Sequence, residues 1–173
     1  MKNFLKWAIY ITAVNIVFML VGYFAGLSTT PAGRYMGWVS GIVSLVMLFF
    51  GILEKKKQDP ADFTFGRGWV EGVLISLIAS VFVAIFFYIY ADIINPEMMD
   101  YARSEAQKNI NAGTMPKEQI EQARKMVDLF TSAPMLAVMT LIMYTIFGMI
   151  ISLIFSPIVK SMGGGSNVRQ ETV

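Results

Sequence analysis

The chain has 173 residues, 55% of them hydrophobic and only 15% charged, with a formal net charge of +2. This places it outside soluble-domain usage and inside the membrane class. The Lys and Arg residues are scattered, with no aromatic-interleaved basic patch of the kind nucleic acid requires. Cysteine and histidine are both absent. That excludes disulfides, thiolate nucleophiles, Cys- or His-based metal sites and serine–histidine hydrolases, so no cofactor and no enzymatic activity are expected.

Charge-free stretches fix the spans. A helix needs about 20 apolar residues to cross roughly 30 Å of hydrocarbon, and four stretches supply this. After Lys2 and Lys6 an apolar run predicts a first span at residues 7–27. A signal peptide has a shorter apolar region, so a retained helix is the better reading. Ser28-Thr29-Thr30-Pro31-Ala32-Gly33 reads as a short hairpin loop. A second span follows at 36–53, stopped by Glu54-Lys55-Lys56-Lys57-Gln58-Asp59-Pro60. Trp7, Tyr35, Trp38 and Trp69 lie near span ends, where interfacial anchors belong.

The third span is predicted at 69–94 and ends at Asn95-Pro96-Glu97, read as N-cap, proline at the first helical position and an acid in the first turn. Residues 96–131 then form two helical arms around Asn111-Ala112-Gly113-Thr114, an extramembrane helical hairpin. Its second arm has an apolar face of Ile120, Ala123, Val127 and Phe130 that must pack on the first arm or on the membrane surface. The fourth span is predicted at 135–159, and 161–173, with Gly163-Gly164-Gly165-Ser166, reads as a flexible tail behind one membrane domain of residues 1–160. The expected fold class is therefore all-α, a polytopic membrane protein with four transmembrane helices. With the N-terminus in the cytoplasm, Lys2, Lys6, Lys55, Lys56, Lys57, Arg67, Lys160 and Arg169 lie inside, whereas outside lie Arg34 and the segment from Asp92 to Pro134, with five basic and seven acidic residues. The positive-inside rule favours both termini in the cytoplasm.

The order of features resembles the domain-of-unknown-function 4199 family. The resemblance rests on Phe63-Thr64-Phe65-Gly66-Arg67-Gly68 before Val73-Leu74-Ile75-Ser76-Leu77-Ile78-Ala79-Ser80, then Ile94-Asn95-Pro96-Glu97, Ile120-Glu121-Gln122-Ala123, and Gly148-Met149-Ile150-Ile151-Ser152-Leu153-Ile154. It implies a small inner-membrane protein of Bacteroidota, and it implies no activity.

Small residues recur every fourth position: Gly68, Gly72, Ser76, Ser80 and Ala84 on the third span, Gly33, Gly37 and Gly41 with Ser40 and Ser44 on the second, and Gly148, Ser152 and Ser156 on the fourth. Such stripes are helix-packing surfaces first, within one bundle or in a homo-oligomer, and a solute path second. Glu71, the one acid near the membrane interior, is expected to pair with Arg67 one turn earlier. Asn15 is expected to hydrogen-bond across helices. Tyr88, Tyr90 and Tyr144 read as headgroup anchors, with a cavity lining as the alternative. The C-terminal Glu171-Thr172-Val173 carries no function. The chain is thus expected to be a non-enzymatic membrane protein with a structural, assembly or regulatory role, its partners the bilayer and another copy or another membrane protein. The alternative is a small oligomeric transporter or channel.

Overall fold

The computed structural model describes residues 2–28, 30–112 and 116–162. Residues 163–173 of the predicted tail lie outside the described residues, as do Gly113 and Thr114 of the predicted hairpin turn, whereas Ser161, the tail's first residue, is helical. Six α-helices follow in order: α1 Asn3–Phe24, α2 Pro31–Gln58, α3 Phe65–Ile89, α4 Pro96–Ala112, α5 Lys117–Phe130 and α6 Ala133–Ser161. A π-helical turn, Tyr90–Ile94, extends α3. No strand occurs among the described residues.

Among the described residues four segments are long and apolar enough to cross a membrane: Asn3–Phe24, Tyr35–Gln58, Phe65–Ile94 and Ala133–Ser161. Their termini follow local chemistry. Thr30 caps α2 by accepting from the Gly33 amide, with Pro31 in the first turn, and Thr64 caps α3 by accepting from the Arg67 amide at 3.3 Å. The first helix stops three residues short of the predicted boundary at 27. Gly26 takes φ 68°, the Leu27 amide reaches back to Gly22 O and the Gly26 amide to Tyr23 O, both at 2.9 Å. This is a Schellman stop, for which glycine is suited because it has no Cβ. Asn95 stands at the expected N-cap position of α4, its carbonyl accepting from the Met98 amide at 3.2 Å, while its Nδ2 donates to Tyr90 Oη at 2.9 Å and its own amide closes the π-turn on Tyr90 O at 2.7 Å.

The third helix occupies the centre. It touches α1, α2 and α6, and its contact with α6 is the most extensive in the molecule. Only 11% of the most apolar window of α1 and of α6 is buried within the chain, against 39% for α3. The surface left over is apolar: Val17, Trp38, Ile42, Ile85 and Phe147 are each more than half exposed. A bilayer satisfies such a belt without cost, whereas water would not. The interior mixes Ala8, Ile11, Leu48, Ile52, Ile75 and Ala79 with the buried hydroxyls of Ser76, Ser80, Ser152 and Ser156. Beyond the other end of the bundle Met99 of α4 packs between Ala91 and Ala133, which seats α4 on the junction of α3 and α6.

The small-residue stripes decide how close α3 and α6 come. A Cβ placed on Gly68 would meet Ser156, one on Gly72 would meet Ser152, and one on Gly148 would meet Ser76. Each four-residue step up α3 is matched by a four-residue step down α6, and the series ends where Ser80 Oγ and Thr145 Oγ1 share a hydrogen bond of 2.8 Å. Gly37 and Gly41 differ: nothing lies within 4 Å of a Cβ built on either. No helix of the chain fills those two faces, so of the packing roles expected for them only the one between copies is left open. We expect Gly148→Ala to lower the thermal midpoint in detergent by the equivalent of about 1–3 kcal/mol, the typical cost of overpacking. Gly41→Ala should leave the midpoint unchanged or raise it, alanine being the better helix former; equal losses would contradict the difference in packing.

Candidate functional site

Polar side chains inside the bundle gather at two depths. The first lies about halfway along the spans. Asn15 on α1 donates through Nδ2 to Ser44 Oγ on α2 at 2.9 Å and to Tyr144 Oη on α6 at 3.4 Å, and its Oδ1 accepts from Ser40 Oγ at 3.1 Å. Nδ2 also donates to Ile11 O at 2.8 Å. One amide thus joins three helices, as expected for a polar group in a span. It is cross-helix glue, satisfied on both its oxygen and its nitrogen.

Two cavities approach this cluster. An apolar groove of about 560 Å³ lies between α2 and α6, lined by Gly37, Trp38, Gly41, Tyr144 and Phe147 among others, with Ser44 and Ser76 on its inner wall. To one side of it the Phe49 and Phe155 rings of α2 and α6 stand edge to face at 5.3 Å. A second cavity of about 220 Å³ lies between α1, α2 and α3 and reaches from Ser28 and Tyr90 to Asn15 and Ser40. Tyr144 and Tyr90 accordingly line cavities and are not headgroup anchors: Tyr90 is 3% exposed and shares a 3.2 Å hydrogen bond with Ser28. Tyr88 alone of the three is exposed.

The second gathering lies at the end of the bundle that carries the Lys55-Lys56-Lys57 run. Glu54 is ion-paired with Lys6 and accepts from Trp7 Nε1 at 2.8 Å. Lys55 pairs with Asp59 one turn on, and the ammonium and its hydrogen bond hold the Asp59 carboxyl below the usual range. Lys56 is placed differently: its Nζ donates to the carbonyls of Val159, Lys160 and Met162 at 2.6–2.9 Å. Those are the unpartnered carbonyls at the C-terminal end of α6, where a cation also complements the helix dipole.

Arg67 and Glu71 do not form the expected pair. Arg67 extends outwards to Asp62 Oδ2 at 3.1 Å, and its side chain is 55% exposed. Glu71 points inwards, is 6% exposed, and accepts from Asn3 Nδ2 at 2.8 Å. The reason is that Gly68 and Gly72 bring α6 against one side of α3, while α1 lies on the side that Glu71 faces. Asn3 carried no cue in the sequence beyond being polar and close to a span. Among the described residues no three Asp or Glu side chains come close enough together to hold a metal ion.

A family model described as "Protein of unknown function (DUF4199)" matches residues 6–161. No curated protein and no solved structure matches the chain.

The Asn15 cluster gives a test. Asn15→Leu should cost about 0.6–2 kcal/mol, the range for interhelical hydrogen bonds in membranes. In combination with Ser40→Ala the loss should fall short of the two single losses added together, by about 0.5 kcal/mol or more. Strict additivity in unfolding measurements would mean that the amide and the hydroxyl do not interact.

Proposed function

We propose that this chain, which belongs to the DUF4199 family, is a non-enzymatic multi-pass protein of the bacterial cytoplasmic membrane, with a structural, assembly or regulatory role. The observation that carries the reading is the closure of the α3 and α6 stripes on one another. Gly68, Gly72 and Gly148 each face a serine of the other helix at contact distance, so those stripes line no solute path between α3 and α6. The hydroxyl and amide groups at mid-depth are likewise engaged with each other. The surface that remains for a partner is the exposed face of α2 with Gly37, Trp38, Gly41 and Ile42, and the α4–α5 pair beyond the other end of the bundle.

In this reading both termini are cytoplasmic, and α4 and α5 form an extracytoplasmic helical hairpin. Arg103 with Asp128 at 3.4 Å, and Arg124 Nη2 donating to Asn111 Oδ1 at 3.0 Å, support the pairing of the two arms. Met126, Leu129 and Phe130 stay exposed at the end of α5, a few residues before α6 begins. That position suits contact with the headgroup region.

A small oligomeric transporter or channel is the second reading. What favours it is the cavity reaching from Ser28 and Tyr90 to Asn15, separated from the α2–α6 groove by the Asn15 cluster. The two readings part in liposomes. Purified protein should move no ion or small solute faster than empty vesicles; flux above that control would replace the structural reading with transport. Because the chain has no native cysteine, orientation is tested by single cysteines and a membrane-impermeant thiol reagent on intact cells. Gln107→Cys should label while Gln58→Cys, Ser76→Cys and Ser80→Cys should not. Labelling of Gln58→Cys alone would invert the topology.

A further inference from the structure

The buried Glu71 carboxyl has no role in the structural reading above and lacks what a buried charge needs. A carboxylate taken out of water demands a cation or several hydrogen bonds. Glu71 has one hydrogen bond, from a neutral amide. Among the described residues no cation bonds to Glu71, and Lys57 of α2 is exposed. On α1, Lys6 is paired with Glu54 and Lys2 lies over the Phe4 ring at 5.8 Å. On α2, Lys55 is paired with Asp59, and Lys56 is bonded to the carbonyls that end α6. On α3, Arg67 is paired with Asp62. The α6 helix has only Lys160, near its end.

The partner of Glu71 has the complementary fault. Asn3 is 8% exposed, and its Nδ2 donates both to Glu71 Oε1 at 2.8 Å and to Gly51 O at 2.9 Å. Its Oδ1 is buried with no hydrogen-bond partner among the described residues. Among the described residues only Arg103 Nε shares that condition, and Arg103 Nε faces Asp128 at 3.4 Å. A buried acceptor left unmade costs about 1–3 kcal/mol. Oδ1 sits on the same planar amide that already faces the carboxyl. A proton on Glu71 answers both deficits at once, because it removes the charge and supplies an O–H for the orphaned acceptor.

We infer that Glu71 and Asn3 form a proton-binding site between α1 and α3, in which the protonated Glu71 carboxyl donates to Asn3 Oδ1 while Asn3 Nδ2 donates to Glu71 Oε1. The result is a closed acid–amide pair, neutral and fully hydrogen-bonded, at the depth where α1 meets α3. The proton is exchanged through the small part of Glu71 that remains accessible. Loss of the proton leaves a carboxylate oxygen facing an amide oxygen, and the contact between α1 and α3 loosens.

The test is infrared spectroscopy of the full chain in lipid vesicles at neutral pH, which separates the carbonyl stretch of a protonated carboxyl from the bands of ionised carboxylates. The wild type should show the protonated band, and Glu71→Gln should abolish it. That variant keeps its fold, since the glutamine amide donates to Asn3 Oδ1 in place of the acid. Asn3→Leu should keep the band but shift it to higher frequency as the hydrogen bonds to the carboxyl are lost. The absence of the band in the wild type, or its survival in Glu71→Gln, would overturn the site. An unshifted band in Asn3→Leu would overturn the pairing with Asn3.

Discussion

Everything else in the bundle is arranged around the approach of α3 to α6, which only glycine permits. Where Gly68, Gly72 and Gly148 stand, there is no room for a side chain, and each absence is filled by a serine of the facing helix. In a bilayer the lipid tails are as apolar as leucine, so helices gain little from burying apolar surface and associate through close packing and hydrogen bonds. The interlock provides both. It explains why the molecule is inverted relative to a soluble protein, with Ser76, Ser80, Ser152 and Ser156 buried and Trp38, Ile42 and Phe147 outside.

With α3 and α6 locked, the other two spanning helices take the remaining positions. The α1 helix covers the side of α3 that carries Glu71, and α2 lies against both α1 and α3 and reaches α6 near one end. Several charged residues at that end are matched with groups from elsewhere in the chain: Lys6 to Glu54, Arg67 to Asp62, Lys56 to the end of α6. Exposed pairs of this kind add little stability individually. The Lys56 contact differs in kind, because it satisfies carbonyls that would otherwise lack partners at a helix end.

The class of fold was legible in the sequence because it depends on long-range composition: four charge-free stretches, each bounded by charges or turn residues, appear as four apolar helices. The interhelical role of Asn15 was legible for a similar reason, since an amide in hydrocarbon must find partners. What the pattern did not contain was the choice of partner. Gly37 and Gly41 repeat at the same interval as Gly68 and Gly72, yet they border a groove. A stripe of small residues permits close approach and does not say that a helix arrives. The expected Arg67–Glu71 pair failed on a local rule: residues four apart share a helix face, but the long arginine side chain leaves that face for water while the shorter glutamate is enclosed by α1. Gly26 did carry a readable stop, which the length of the apolar run outweighed.

The hydrogen bonds of Asn15 also bear on the order in which the helices assemble. Its partners Ser40 and Ser44 lie 25 and 29 residues along the chain, on α2, which is made before α3 and α6. Two of the three side-chain partners of that amide are thus in place before Tyr144, 129 residues on, is made. Ser80 must wait 65 residues for Thr145, and Lys56 more than 100 for the end of α6. Synthesis therefore makes α1 and α2 with the Asn15 amide already joining them, then a central helix whose small-residue face stays unfilled while α4 and α5 are made, until α6 arrives and completes the packing. During that interval α3 is the segment most exposed to association with the wrong partner.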